Sequence, residues 1–197
     1  MVVVLRGDED LPKLRLSDLR RSQEDLQVRI PHGLAQGCLG VVLYAIVRLR
    51  GSADVPYNVE YTLRLLRLVR RFHAVVYPRS PSLVGNLEVV KDWVTWGEVD
   101  KGTLRNLVSK RGRLVGGRPI TEEDVRRIFG LSGLDELVDA LYEGRVLWHK
   151  YSDYVKPVFR LHPPKGGFKG SIKKPYSAGG ELGYRGEAIN ELLARMI

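Results

Sequence analysis

The side chains able to do chemistry in this chain are its histidines, serines, carboxylates and glycine-lysine stretches, and their spacing argues against catalysis. His32, His73, His149 and His162 are scattered, and none stands at zinc-ligand spacing from Cys38, the single cysteine. One cysteine forms no internal disulfide and reads as a small buried or incidental residue. Ser80, Ser82 and Ser109 lack the glycine-flanked elbow and the nearby histidine and carboxylate of a nucleophilic triad. Glu122-Glu123 and Asp135-Glu136 fall in first helical turns, where the helix dipole accounts for them. Gly33 to Gly40 and Lys165 to Gly170 look like nucleotide loops. A phosphate loop, however, needs its lysine followed by Ser or Thr at a helix start, and a dinucleotide fold needs three glycines between strand and helix. We therefore expect no enzyme activity, no cofactor and no metal.

The charge points elsewhere. Lys and Arg total 32 against 23 Asp and Glu, a net +9 with a pI near 9.8, so a polyanion is the natural partner. The excess is uneven. Residues 1–42 balance Arg6, Lys13, Arg15, Arg20, Arg21 and Arg29 against Asp8, Glu9, Asp10, Asp18, Glu24 and Asp25, leaving 26 basic and 17 acidic side chains for residues 43–197. Residues 150–175 carry seven basic side chains against the single acid Asp153. Their glycines and prolines are too many to pack a core alone, so this stretch is expected to embrace nucleic acid and to be disordered without it. Phe159-Arg-Leu-His162, Phe168 and Tyr176 interleave with its cations, an arrangement that stacks bases or pins the segment to its own core; Phe159 reads as core and His162 as a contact. Apolar residues make up 44% and charged residues 28%, ordinary for a globular chain. No apolar run approaches the roughly 20 residues of a membrane helix, so an intracellular protein is expected.

The elements that must position these groups can be read from Tyr44 onward. Tyr44 to Arg50 alternates apolar and basic residues as a half-buried strand does, closed by Gly51. Pro56 opens a helix whose apolar spacing runs through Val59, Leu63, Leu66 and Val69 to Phe72, with Glu60, Arg64, Arg67 and Arg71 on the opposite stripe. His73 to Tyr77 is a second strand, and Pro78 to Pro81 a turn. Ser82 caps a second helix through Leu83, Leu87 and Val90, and Val94 to Val99 is a third strand. Strand, helix, strand, helix, strand makes a two-layer α/β sandwich. Beyond it, Thr103 to Lys110 reads as a helix and Arg111 to Arg118 as a basic surface loop. Thr121 with Asp124, and Ser132 with Asp135, cap a helical hairpin, and a final amphipathic helix carries Ile189, Leu192, Leu193 and Met196.

Four stretches carry a resemblance: Ala45-Ile-Val-Arg-Leu-Arg-Gly51, Asp54 to Leu68 with Thr62-Leu-Arg-Leu-Leu66, the turn Pro78 to Pro81, and Val89-Val-Lys-Asp-Trp-Val-Thr-Trp-Gly-Glu98. Together they strongly resemble the L-thirty family of large-subunit ribosomal proteins, called L-seven in eukaryotes. Phe159-Arg-Leu-His-Pro-Pro-Lys-Gly-Gly-Phe-Lys169 and Gly179-Gly-Glu-Leu-Gly183 look like the long archaeal and eukaryotic form. The resemblance implies an α+β, ferredoxin-like two-layer core at residues 43–100 with a helical and extended basic C-terminal extension at 101–197. It also implies a structural, cytoplasmic ribosomal role in which the chain binds large-subunit RNA near 5S RNA and the central protuberance, beside neighbouring ribosomal proteins and with no membrane. Carried onto matching positions, the RNA contacts are Arg48, Arg50, Arg79, Ser80, Ser82, Gly85, Asn86, Arg160, His162, Lys165, Lys169, Lys173 and Lys174. A free RNA-binding or regulatory module of the same fold is the alternative.

Residues 1–42 match nothing in that family, and eukaryotic relatives carry a strongly basic leader where this one is neutral. Leu16 to Leu26 has the pattern of one charged helix, while Pro31 to Gly40 is glycine-rich without periodicity. This leader is expected to be a gene-start error, with Val41, Val42 or Leu43 as a non-AUG initiator.

Overall fold

The computed structural model describes residues 42–197, and the readings made on residues 1–41 lie outside the described residues. At the centre is β1 (Leu43–Arg48), with β2 (His73–Pro78) on one side and β3 (Val94–Glu98) on the other, both antiparallel to it. The strand-helix alternation is as expected. Three further strands join the same sheet: β4 (Phe159–Arg160), β5 (Ser171–Pro175) and β6 (Gly180–Tyr184), giving the order β4-β2-β1-β3-β6-β5. The parallel pairs are β3 with β6 and β5 with β6.

All six residues of β1 are buried, so it is not the half-buried strand its alternation suggests. Its two faces meet different layers. Tyr44 and Ile46 pack under α1 (Tyr57–Leu65) and α2 (Pro81–Val90), with Val59, Leu63, Leu87 and Trp96. Leu43, Ala45 and Val47 face α3 (Lys101–Arg111), α4 (Glu122–Phe129), α5 (Leu134–Tyr142) and α6 (Ile189–Met196), through Leu104, Val125, Leu137 and Leu193. Each of the Leu, Ile and Val side chains among these contributes about 1.5–3 kcal/mol by leaving water. The ferredoxin-like α+β core is thus present, and residues 101–197 cover its second face. Residues 42–197 all fall within one compact unit, and at position 100 the chain passes from the first layer to the second.

Local chemistry explains where the elements start and stop. Residues up to Phe72 were expected in α1, yet the helix ends at Leu65 because Arg67 and Phe72 take left-handed backbone, with φ of 61° and 62°. The chain then unwinds to bring Leu66 and Leu68 inward, leaving Leu65 and Val69 exposed. The cap of α2 is Ser80 and not Ser82: the Ser80 hydroxyl accepts from Leu83 N at 3.1 Å, and Pro81 occupies the first helical position. Asp100 caps α3, accepting from Thr103 N at 2.6 Å. Thr121 and Asp124 form the expected capping box on α4, and the Thr121 hydrogen bonds hold the Asp124 carboxyl below its usual range. Ser132 does not pair with Asp135. Its backbone N–H donates to Glu136 Oε2 at 2.7 Å, and Gly133 stands at the cap.

Candidate nucleic-acid interface

Arg48, expected to contact RNA, is 2% exposed. Position 48 follows Tyr44 and Ile46 on the face under α1, so the guanidinium enters the protein. There its Nη1 donates to the carbonyls of Leu68 at 2.8 Å and Val69 at 2.9 Å, its Nε to Arg50 O at 2.9 Å and its Nη2 to Gly51 O at 2.9 Å. Desolvation by burial lowers its pKa. Arg48 is a structural cation tying β1 to the irregular chain after α1, and it leaves the contact set.

The other expected residues lie at three separate places. Arg50, half-buried, stacks over Trp93 at 5.1 Å and donates to Asp92 O at 3.1 Å, at the end of β1 where β2 and β3 begin. Arg160 is at the same end of the sheet, exposed on β4 opposite His73. The field there is positive. Burial lowers the His73 pKa, and the charges of Arg160, Arg70 and Arg48 push it the same way.

Arg79 is at the other end, where its N–H donates to Val42 O at 2.8 Å and its guanidinium stands 5.9 Å from the Tyr44 ring. From it the chain enters α2 through Ser80, Ser82, Gly85 and Asn86. Ser80, Ser82 and Asn86 line an open groove of about 380 Å³ shared with Arg67, Tyr77 and His149. Gly85 is exposed, with open space where a Cβ would stand.

Residues 160–175 form no loose strap. His162 N donates to Met196 O at 3.0 Å and Lys165 N to Arg195 O at 2.9 Å, so the segment is laid along the end of α6 before it becomes β5. Phe159 is buried against Trp148 at 5.3 Å and Phe168 stacks on Phe72 at 6.4 Å, which assigns both rings to packing and not to bases. Lys169 meets the Glu191 carboxylate and holds it below its usual range. Arg160, Lys165, Lys173 and Lys174 are exposed and make no ion pair among the described residues. Arg160 and the lysine pair nevertheless stand on opposite edges of the sheet, five strand spacings apart, or ~24 Å at ~4.8 Å each.

The structure adds cations that the contact set omits. Arg111, Arg113 and Lys156 gather beside Arg160 around a recess of about 150 Å³. The signal was the basic, glycine-rich loop from Arg111 to Arg118, whose link to residues 154–156 no periodicity reveals. Among the described residues no group of histidine, cysteine and carboxylate side chains is arranged to hold a metal ion, and no helix is long and apolar enough to cross a membrane.

The family model for ribosomal protein L30p/L7e matches residues 44–94, from β1 through both helices into β3. The large ribosomal subunit protein uL30 of Hyperthermus butylicus is 56% identical over 170 residues, covering 82% of this chain and 94% of the relative. That of Desulfurococcus amylolyticus is 55% identical over 161 residues, 80% of this chain and 99% of the relative. The chain belongs to the uL30 family.

A third uL30, from Saccharolobus solfataricus, is 43% identical over 157 residues, with 80% of this chain and 99% of the relative covered. Spans of this length cannot be confined to residues 44–94. The uL30 likeness therefore takes in much of the layer formed by α3, α4 and α5 as well as the ferredoxin-like core.

Proposed function

We propose that this chain is a structural constituent of the large ribosomal subunit in the cytoplasm, that it binds large-subunit ribosomal RNA, and that it sits near 5S RNA and the central protuberance beside other ribosomal proteins. Its role is architectural and non-enzymatic, as for the uL30 family. The observation that carries the RNA reading is the set of exposed cations with no carboxylate partner among the described residues, Arg160, Lys165, Lys173 and Lys174, in a chain of net charge +9. Phosphates neutralise such a surface with release of counterions. Because Arg160 and Lys173-Lys174 occupy opposite sheet edges, the reading requires RNA at two edges instead of one enclosing tail. Arg50, Arg79, Ser82, Gly85, Asn86, His162 and Lys169, the last sharing its charge with Glu191, complete the proposed contacts, with Ser80 acting through its cap on α2.

The test is cosedimentation of the full chain with ribosomal subunits across a salt series. The expected result is retention on the large subunit at moderate salt, with a salt slope that falls by about one unit for each phosphate contact removed in Lys173→Gln/Lys174→Gln. A predominantly free pool at moderate salt overturns the proposal.

A further inference from the structure

We propose that the recess between the α3–α4 loop and β4 is a seat for one backbone phosphate of RNA, held by Arg113, Lys156 and Arg160 with Arg111 at its base. This inference rests on the RNA-binding reading and assigns it a site. The recess of about 150 Å³ is lined by Arg111, Arg113, Gly117, Lys156, Val158 and Arg160, with no carboxylate among them. Its volume is several times the ~30 Å³ share of one water, so a tetrahedral anion fits.

The walls are fixed by backbone bonds. Lys156 N donates to Arg113 O at 2.8 Å, Val115 N to Tyr154 O at 2.9 Å and Leu114 N to Arg118 O at 2.9 Å, so the loop and the strand approach hold one another. Gly117, at φ 92°, lies beside the Lys156 amine, which would stand 3.7 Å from any Cβ placed there. A side chain at 117 would be strained by the left-handed backbone, while its Cβ would only touch the amine.

The cations are only partly employed. Arg113 Nη1 donates to the neighbouring Gly112 carbonyl at 2.9 Å, and Arg111 Nη2 to Ile197 O at 2.6 Å. Arg111 Nε is buried with no hydrogen-bond partner among the described residues. Arg113, Lys156 and Arg160 pair with no carboxylate among the described residues. Like charges sharing a recess repel, and an unmade buried donor is costly. One anion relieves the repulsion. Three guanidinium forks converging on one volume favour phosphate over a lone carboxylate, because phosphate offers enough oxygens to accept from several forks at once. Arg160 belongs to both the recess and the proposed interface, so RNA reaching β4 has its backbone at the mouth.

The experiment measures binding of the full chain to protein-free large-subunit ribosomal RNA over a potassium chloride series. Wild type is compared with Arg113→Gln/Lys156→Gln and with Lys101→Gln/Arg145→Gln, which removes equal charge from residues already paired with Asp139 and Glu143. In the recess variant the slope of log affinity against log salt should be shallower by about 0.7–0.9, the share of one phosphate, while the control keeps the wild-type slope. Arg113→Lys/Lys156→Arg should restore most of it. A second arm reads the melting temperature in inorganic phosphate against potassium chloride of equal ionic strength. A phosphate-specific rise should appear in wild type and vanish in the recess variant. Equal RNA slopes for recess and control variants overturn the seat if the phosphate effect is also missing. Equal slopes with the phosphate effect present make it a free-anion site and overturn the RNA assignment. Wild type that binds no RNA at any salt overturns the RNA-binding reading itself.

Discussion

Arg48 Nη1 lies 2.8 Å from the carbonyl oxygen of Leu68, joining the end of β1 to chain twenty residues further on. Replacing this side chain by Met leaves carbonyls that it now satisfies, two of them beyond α1. At about 1–3 kcal/mol for each group left buried and unpaired, Arg48→Met should lose at least about 3 kcal/mol. For a chain of this size that lowers the melting temperature by roughly 6–12 °C, read by thermal denaturation. The salt slope for RNA should be unchanged in the folded fraction; a lowered slope would return Arg48 to the interface.

Two glycines should respond in opposite directions to alanine. A Cβ on Gly97 would stand 2.0 Å from the Gly186 carbonyl oxygen, where β3 meets the turn after β6, so Gly97→Ala must push backbone apart. Overpacking of this kind costs about 1–3 kcal/mol or more. Gly85, on the exposed side of α2 with open space around it, should gain about 0.5–1 kcal/mol from the helical preference for alanine. Chemical denaturation of both variants checks the pair. If Gly85 also allows RNA to approach closely, Gly85→Ala will weaken RNA binding while stabilising the fold.

Protonation should separate folded from unfolded chain at mildly acidic pH. His73 and His149 are both held below the ordinary imidazole value, mainly by burial, with Arg160 adding at His73 and Lys150 at His149. In each case the unfolded state takes up its proton first as pH falls below about 6.5. The stability from keeping these rings neutral is therefore complete above that pH and is lost as pH drops through the folded values. Imidazole titration by NMR should place both rings below 6.5. A ring titrating at or above 6.5 contradicts its buried, cation-flanked setting.

Glu181 and Arg185 form an ion pair with side chains only 6% and 5% exposed; Gly170 N donates to the same carboxylate at 2.8 Å, and the guanidinium stands 4.6 Å from the Tyr176 ring. Glu181→Gln leaves a buried cation without its counter-charge and should cost about 3–5 kcal/mol. Glu181→Leu/Arg185→Leu removes both charges and should cost less than either single change. A double-mutant cycle by denaturant unfolding settles it, and additive losses would refute the coupling.

The parts of this fold written in local chemistry could be read directly. Thr121 and Asp124 announce their capping box, and Ile189, Leu192, Leu193 and Met196 announce a face that is indeed buried. Readings failed where distant chain decides. Leu63, Leu66 and Val69 keep helical spacing, but the carbonyls taken up by Arg48 stabilise an unwound path that no local pattern encodes. Ser82 reads as the cap, but Pro81 takes the first helical position and leaves that role to Ser80. Arg48 itself alternates with apolar residues as a surface cation would, because the alternation of β1 marks two buried faces instead of one wet face. For the interface, the identity of the cations was legible and their grouping was not. Position along residues 150–175 says nothing about which sheet edge each lysine or arginine reaches.

Both flanks of the central β2-β1-β3 triplet are closed by strands formed after residue 158, β4 against β2 and β6 against β3. During synthesis the triplet can assemble early, but until those later strands emerge it presents two rows of unpaired amides and carbonyls, the surfaces on which nascent chains associate wrongly. The residues that seal these rows include Arg160, proposed to meet RNA, so the step that protects the new chain from its neighbours is also the step that readies it for assembly.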